Sequence, residues 1–185
     1  ETVSFSSTRD ASKRGIATVY QELLLFPELT IAENIFLGAY PKSNWGGIDW
    51  DTVRERSRAL LDSLDSAELD VDTKVARLSV AQRQRVEIAK ALSRDARVLI
   101  MDEPTASLAE ADVQRLMDVV RALRARGVAI IYVSHRMPEI FALADRVTVL
   151  RDGALIGTKE IGEVTEASLV AMMVGRSIGQ LFPKP

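Results

Sequence analysis

The sequence predicts an α/β fold, a parallel sheet interrupted by an inserted helical block, and three observations predict it. An unbroken apolar run, Val98-Leu99-Ile100-Met101, stops at the adjacent acids Asp102 and Glu103 and at Pro104. A second such run covers residues 128–133, with a stretch of helical spacing between the two. Residues 27–94, by contrast, carry only helical patterns. Runs without polar alternation suit strands buried on both faces, and strands that alternate with helices suit a parallel sheet. Open sheets of this kind bind ligands beyond the carboxyl ends of their strands, which directs attention to Asp102 and Glu103. Neighbouring acids at a strand end project to different sides, so one can hold a metal ion while the other polarises water.

Composition narrows the classes. A chain of 185 residues can bury a sizeable core as one domain, or as a domain with a subdomain. Lys+Arg 24 against Asp+Glu 26 gives a net charge of −2, so no basic surplus points to nucleic acid and any anion site must be local. The chain has no cysteine, which excludes disulfides and thiolate metal sites, and its single histidine, His135, excludes a histidine metal cluster. Its apolar runs fall far short of the ~20 residues that span a bilayer. The opening Glu1-Thr2-Val3-Ser4-Phe5 has neither a starting Met nor a leader pattern and reads as a cut edge.

Taken in order, residues 15–20 form a β-rich run that delivers Gln21 to a loop. Thr30, with Glu33 three residues on, is a capping-box pattern, and the helix it starts is expected to reach about Gly38 with Ile31, Ile35 and Phe36 facing inward. After a loop over 41–47, Asp49 caps a second helix in which Val53, Leu60, Leu61 and Leu64 recur at helical spacing. An acidic, irregular stretch leads to Ser79 and Gln82, a further capping box, and to a third helix ending near Ser93. Its buried stripe is expected at Val86, Ala89 and Leu92, with Ile88 on the flank. Beyond the central strand, Val113, Leu116, Met117, Val120 and Leu123 mark a helix that Gly127 ends. The strand over 128–133 is expected to be buried and leads to Ser134-His135-Arg136. A short helix from Pro138 and a strand over 146–150 come next. Asp152-Gly153 signals a two-residue hairpin into residues 154–158, and Thr165 caps a last helix ending near Gly175.

Four features then stand in one order: Gln21 after a strand, LSVAQRQRVEIAKAL from Leu78, VLIMDEPTASL from Val98, and VSHR from Val133. Together they resemble the ATP-binding cassette ATPases, whose Q-loop, signature, Walker B and H-loop follow that order. The similarity extends over almost the whole chain. GIATVYQELLLFPELTIAENIFLG and the signature segment are similar to the first cassette of bacterial carbohydrate importers, and MMVGRSIGQLFPKP resembles the linker from that cassette to a second one.

The resemblance implies a P-loop NTPase-like parallel sheet core over residues 1–26 and 95–175, a helical signature subdomain over 27–94, and a linker over 176–185. It implies ATP and Mg2+, with Asp102 and Gln21 at the metal and Glu103 as general base or water-polarising group. Gln21 would reach the attacking water and couple the nucleotide to the helical insert, and His135 would contact the γ-phosphate. Ser79, Val80, Ala81 and Gln82 would serve the nucleotide of a partner cassette across a dimer interface. Implied partners are integral-membrane permease subunits, a second cassette and, indirectly, a solute-binding protein, at the cytoplasmic face of the inner membrane and with no nucleic acid.

Three departures qualify the expectation. Val80 and Ala81 stand where glycines are usual in the signature, and since Val80 does not comfortably take positive φ, this loop is expected to use ordinary backbone angles. Ala109 falls where the family usually has the D-loop aspartate. No Gly-x-x-x-x-Gly-Lys-Ser/Thr occurs in the sequence, and because the family places that phosphate cradle upstream of the Q-loop, the chain is expected to begin after it. Two other readings stay open: a non-transport cassette protein acting on ribosomes or DNA, and a regulatory module that never hydrolyses ATP. The neutral charge and importer-like wording count against the first, and retained Glu103 and His135 against the second.

Overall fold

Three parallel strands organise the larger part of the molecule. A computed structural model describes residues 3–175, so the linker expected over 176–185 lies outside the described residues. The chain divides into two compact units, residues 1–133 and 134–185. In the first, β1 (Ile16–Val19), β2 (Val98–Asp102) and β3 (Ala129–Val133) form a parallel sheet in the order β1-β2-β3. Gly15 sets the lower edge. It turns at φ 78°, and its carbonyl accepts from the amides of Arg97 at 2.7 Å and Val98 at 2.9 Å. A Cβ there would lie 3.1 Å from the Asp95 carbonyl, so the close approach of the two segments depends on glycine.

The central strand is less evenly buried than its apolar run suggests. Leu99 and Met101 are fully buried, whereas Val98 and Ile100 are only half so. β3 departs further from expectation, because it is the sheet edge among the described residues, with Ile131 53% and Val133 46% exposed. An apolar run reports hydrophobicity, not position in the sheet, and helix α5 (Glu110–Ala125), which packs on β3, covers one face of the strand.

The helical block comprises α2 (Ile31–Ile35), α3 (Trp50–Asp62) and α4 (Val80–Leu92), which pack on one another, while α4 also packs on β1. Each starts where a cap was legible: Thr30 with Glu33, Asp49 accepting from the Thr52 amide, and Ser79 with Gln82. The first helix is shorter than expected. It ends at Ile35, and a turn carries the chain on to Gly38 at φ 78°. In α4 the buried face is rotated from the expected stripe: Ile88 is fully buried and Leu92 only partly so. Asn34, fully buried, holds the block to the preceding loop. It accepts from the Phe26 amide at 2.8 Å and donates to the carbonyls of Phe26 and Thr30 at 3.0 and 2.9 Å. One short helix escaped the sequence reading, α1 (Thr8–Lys13), whose Ser7 hydroxyl accepts from the Asp10 amide.

The second unit is a hairpin backed by helices. α6 (Met137–Leu143) precedes β4 (Arg146–Arg151) and β5 (Ala154–Glu160), which pair antiparallel, and α7 (Glu166–Val174) follows. Asp152 and Gly153 both take positive φ, as a type I′ turn requires. Met137, Val149 and Leu169 form its buried core. Among the described residues no helix is long and apolar enough to cross a membrane.

Replacing Asn34 by Ala removes a fully buried side chain that bonds the Phe26 amide and the carbonyls of Phe26 and Thr30, and losing bonds of this kind costs about 1–3 kcal/mol. Urea unfolding of Asn34→Ala should show at least that loss, with the midpoint lowered and the slope unchanged.

Candidate functional site

The strand register gathers three predicted residues of the first unit, Gln21, Asp102 and Glu103, along one edge. Val19 pairs with Met101 and Asp102 with Val133, so the carboxyl ends of β1, β2 and β3 are level. Gln21 lies two residues past the end of β1, exposed in its loop, and Asp102, also exposed, is the last residue of β2. Glu103 is no longer a strand residue. Its φ of 42° turns the chain sharply, and its amide donates to the Val133 carbonyl at 2.9 Å. Glu103 therefore stands in a backbone turn and not in the strand alternation expected of it. A non-glycine residue in this left-handed region costs roughly 1–3 kcal/mol, and such strain clusters at functional sites. Buried Pro104 and Thr105 follow it directly.

His135 belongs to the second unit and is exposed. Its flanks are pinned: the Ser134 hydroxyl accepts from the Arg136 amide at 3.0 Å and donates to Glu139 at 3.2 Å, and Arg136 pairs with the same carboxylate at 2.8 Å. Glu139 is buried and was missed in the sequence, where an acid in the first turn of α6 looks like an ordinary response to the helix dipole.

The signature residues stand apart, at the amino end of α4. Ser79 caps with extended backbone, its hydroxyl accepting from the Gln82 amide at 3.2 Å while the Gln82 side chain accepts from the Ser79 amide at 2.9 Å. Val80 and Ala81 are the first helical residues, so their amides have no intrahelical partner. Two arginines follow in the first turns of α4, and both are engaged within the helical block. Arg83 donates to the Leu78 carbonyl at 3.2 Å, and Arg85 to the Asp65 carbonyl at 3.2 Å and to Glu68 at 2.7 Å. Along the helix Ser79 is roughly 16 Å from Lys90, a residue of α4 that touches the loop of Gln21, so the signature stands well away from that contact. Among the described residues no group of three or more His, Cys, Asp or Glu is placed to hold a metal by itself.

The model of the ABC transporter family matches residues 1–106, more than half of the 185-residue chain. The chain belongs to the ABC transporter family. It is 53% identical over 184 residues to the ribose import ATP-binding protein RbsA of Rhodococcus jostii, covering 100% of this chain and 36% of that protein. To a ribose import ATP-binding protein of Rubrobacter xylanophilus it is 50% identical over 185 residues, covering 100% of this chain and 37% of that one. The chain thus spans little more than a third of the curated relatives it matches. Among solved structures, an ATP-binding cassette of an ABC transporter in its ADP conformation superimposes with a TM-score of 0.73 at 24% identity, over 90% of this chain and 71% of that one. A dimeric post-hydrolysis cassette bound to ADP and Pi gives a TM-score of 0.69 at 25% identity, over 84% and 68%. These likenesses agree with the α/β, parallel-sheet fold read from the sequence.

In this ABC family member the signature helix also holds a buried acid. Burial pushes the Glu87 carboxyl above its ordinary value of 4.5, against the opposing pull of Lys90. A carboxyl with a raised folded pKa binds its proton more tightly folded than unfolded, so its contribution favours folding at acid pH and is lost as pH rises from about 4.5 through the folded value. Glu87→Gln should flatten that fall, so that the stability difference from wild type shifts in the variant's favour from pH 4.5 to neutrality in urea titrations. A constant difference at every pH would show that the carboxyl does not titrate in this way.

Proposed function

We propose that the chain is the ATP-handling part of an importer that hydrolyses ATP to drive uptake of ribose or a similar sugar. One observation carries the chemistry: a glutamate held at φ 42° immediately past the central strand, beside an exposed aspartate and level with the loop of Gln21. The names of the relatives support the substrate class.

Magnesium suits this donor set, because it is held by one or two carboxylates and otherwise by phosphate oxygens and water, so Asp102 alone suffices from the protein. When bound, it neutralises charge on the phosphates. Glu103 would accept the proton of the attacking water from its turn just past the strand. Gln21 would orient that water, and His135 would donate to the terminal phosphate. The Ser79 hydroxyl and the Val80 and Ala81 amides would meet the phosphates of a second cassette, with the Gln82 side chain fixing the cap. The helical block over 27–94 would move against the core and dock on permease subunits at the cytoplasmic face of the inner membrane, a solute-binding protein delivering the sugar.

In the full-length protein, Glu103→Gln should keep ATP binding and lose about 10²-fold or more in turnover, since an amide keeps the shape but cannot take the proton. His135→Ala should act similarly. Phosphate release near wild type in both variants would remove these residues from the mechanism. Deleting the gene should abolish uptake of labelled ribose or a close relative, and unchanged uptake of every tested sugar would defeat the substrate assignment.

The 185-residue chain alone should bind magnesium ATP weakly and release no phosphate, because it contains no Gly-x-x-x-x-Gly-Lys-Ser/Thr cradle. Holding reactants in line is worth about 7–11 kcal/mol, and a base without held phosphates lacks that contribution. Titration calorimetry beside a phosphate assay tests it; micromolar affinity with turnover would reveal another cradle.

A further inference from the structure

The loop that carries Gln21 is anchored very differently along its length. At its start, Val19 is fully buried and paired with Met101. At its end, Asn34 clamps Phe26, and the carbonyls of Pro27 and Leu29 accept from the amides of Ala76 at 2.9 Å and Val75 at 3.0 Å. Between these anchors Tyr20, Gln21, Glu22 and Leu24 are all exposed. There the Lys90 ammonium crosses from α4 and donates to the Leu24 carbonyl at 2.6 Å.

That ammonium is held from behind. Glu87, one turn earlier on α4, places its Oε1 3.8 Å from Lys90 Nζ, with the two side chains 6% and 19% exposed. Glu87 Oε2 has no hydrogen-bond partner in the protein. A carboxylate so buried needs its cation close by, which restrains a lysine that would otherwise extend into water. The Leu24 carbonyl, Lys90 and Glu87 therefore form one line from the loop, three residues past Gln21, into the third turn of the helix whose first turn bears Ser79.

We infer that Lys90 is a positioning residue for Gln21: its bond to the Leu24 carbonyl sets where the loop stands on α4, and so ties Gln21 to the signature helix. The inference rests on the role proposed above for Gln21 in hydrolysis. α4 is a continuous helix of 13 residues, so a displacement of the loop at Lys90 is delivered to Ser79 as a rigid motion. A lost donor at position 90 frees the loop without removing any group that touches nucleotide, which predicts an effect on turnover and not on ATP affinity.

The test uses the full-length protein and steady-state ATP hydrolysis. Lys90→Met should lower kcat by roughly tenfold or more, as misplacing a positioned group does, while KM for ATP stays within about twofold. Lys90→Arg, which still donates to a carbonyl and answers Glu87, should restore most of the rate. Gln21→Ala should also lower kcat, and the double variant Gln21→Ala with Lys90→Met should be no slower than the slower single variant, because both act through one group. If Gln21→Ala is slow but Lys90→Met is not, or if the two losses multiply, the tether is refuted and the proposed role of Gln21 stands. If Gln21→Ala hydrolyses at the wild-type rate, that role fails and the inference falls with it. Should Lys90→Met not fold, amide exchange over residues 20–25 in Lys90→Arg and Glu87→Gln decides: faster exchange in Glu87→Gln alone supports the tether, and equal exchange in both refutes it.

Discussion

The in-register pairing of β2 with a parallel neighbour on each side is the constraint on which the first unit depends. It fixes the heights at which three strands end, and so places Gln21, Asp102 and the turn at Glu103 along one edge although Gln21 and Glu103 are 82 positions apart in sequence. Parallel neighbours cannot be joined by a tight turn, and each pairing requires a long crossover. Between β2 and β3 the crossover is the single helix α5. Between β1 and β2 it is the whole helical block, and this is why the block's first and last segments both attach to the sheet. Gly15 closes the lower edge of the β1–β2 pairing, and the Glu103 amide bond to Val133 closes the upper edge of the β2–β3 pairing.

At the signature segment the backbone takes a different local route from a glycine-rich loop. Glycines would permit many backbone angles. Val80 and Ala81 permit few, and the chain enters α4 through an ordinary capped first turn with Ser79 extended and Val80 helical. Restricting the loop in this way lowers the entropy lost on ordering it while leaving two amides directed outward. The neighbouring arginines are consistent with this, since both are turned back onto carbonyls and an acid of the helical block. They brace the start of α4 against Leu78 and against the segment of Asp65 and Glu68.

What was legible follows from which forces are local. Caps at Thr30, Asp49, Ser79 and Thr165, and the hairpin at Asp152-Gly153, are decided within four residues, and the structure has all of them. Burial is decided by partners distant in sequence. Thus Ile131 and Val133, read as core, lie exposed at an edge, and Ile88, read as flanking, is fully buried. The candidate acids were visible because an apolar run ended in them. The turn at Glu103 was not, since a positive φ at glutamate has no compositional signal and is imposed by the strand beside it. The buried role of Glu139 and the bridge from Lys90 to Leu24 were hidden for the same reason: each is a tertiary contact made by a residue whose type suits a solvated helix face.

The seat of α4 combines these themes. Its inward face carries Gln84 and Glu87 among Val86, Ile88 and Ala89, and Gln84 Nε2, Arg85 Nε and Glu87 Oε2 find no partner in the protein. Each unmade bond of that kind costs about 1–3 kcal/mol, so the helix rests in a shallower minimum than an all-apolar stripe would provide. Shallow minima suit elements that shift, and the segments drawn into conformational change come from the less stable end of a fold. α2 shows the opposite arrangement, its buried Asn34 amide bonded to the Phe26 amide and three carbonyls. One helix of the block is thus locked to the loop's far end while another is held to its exposed middle through a charged side chain, and it is the second that bears the signature.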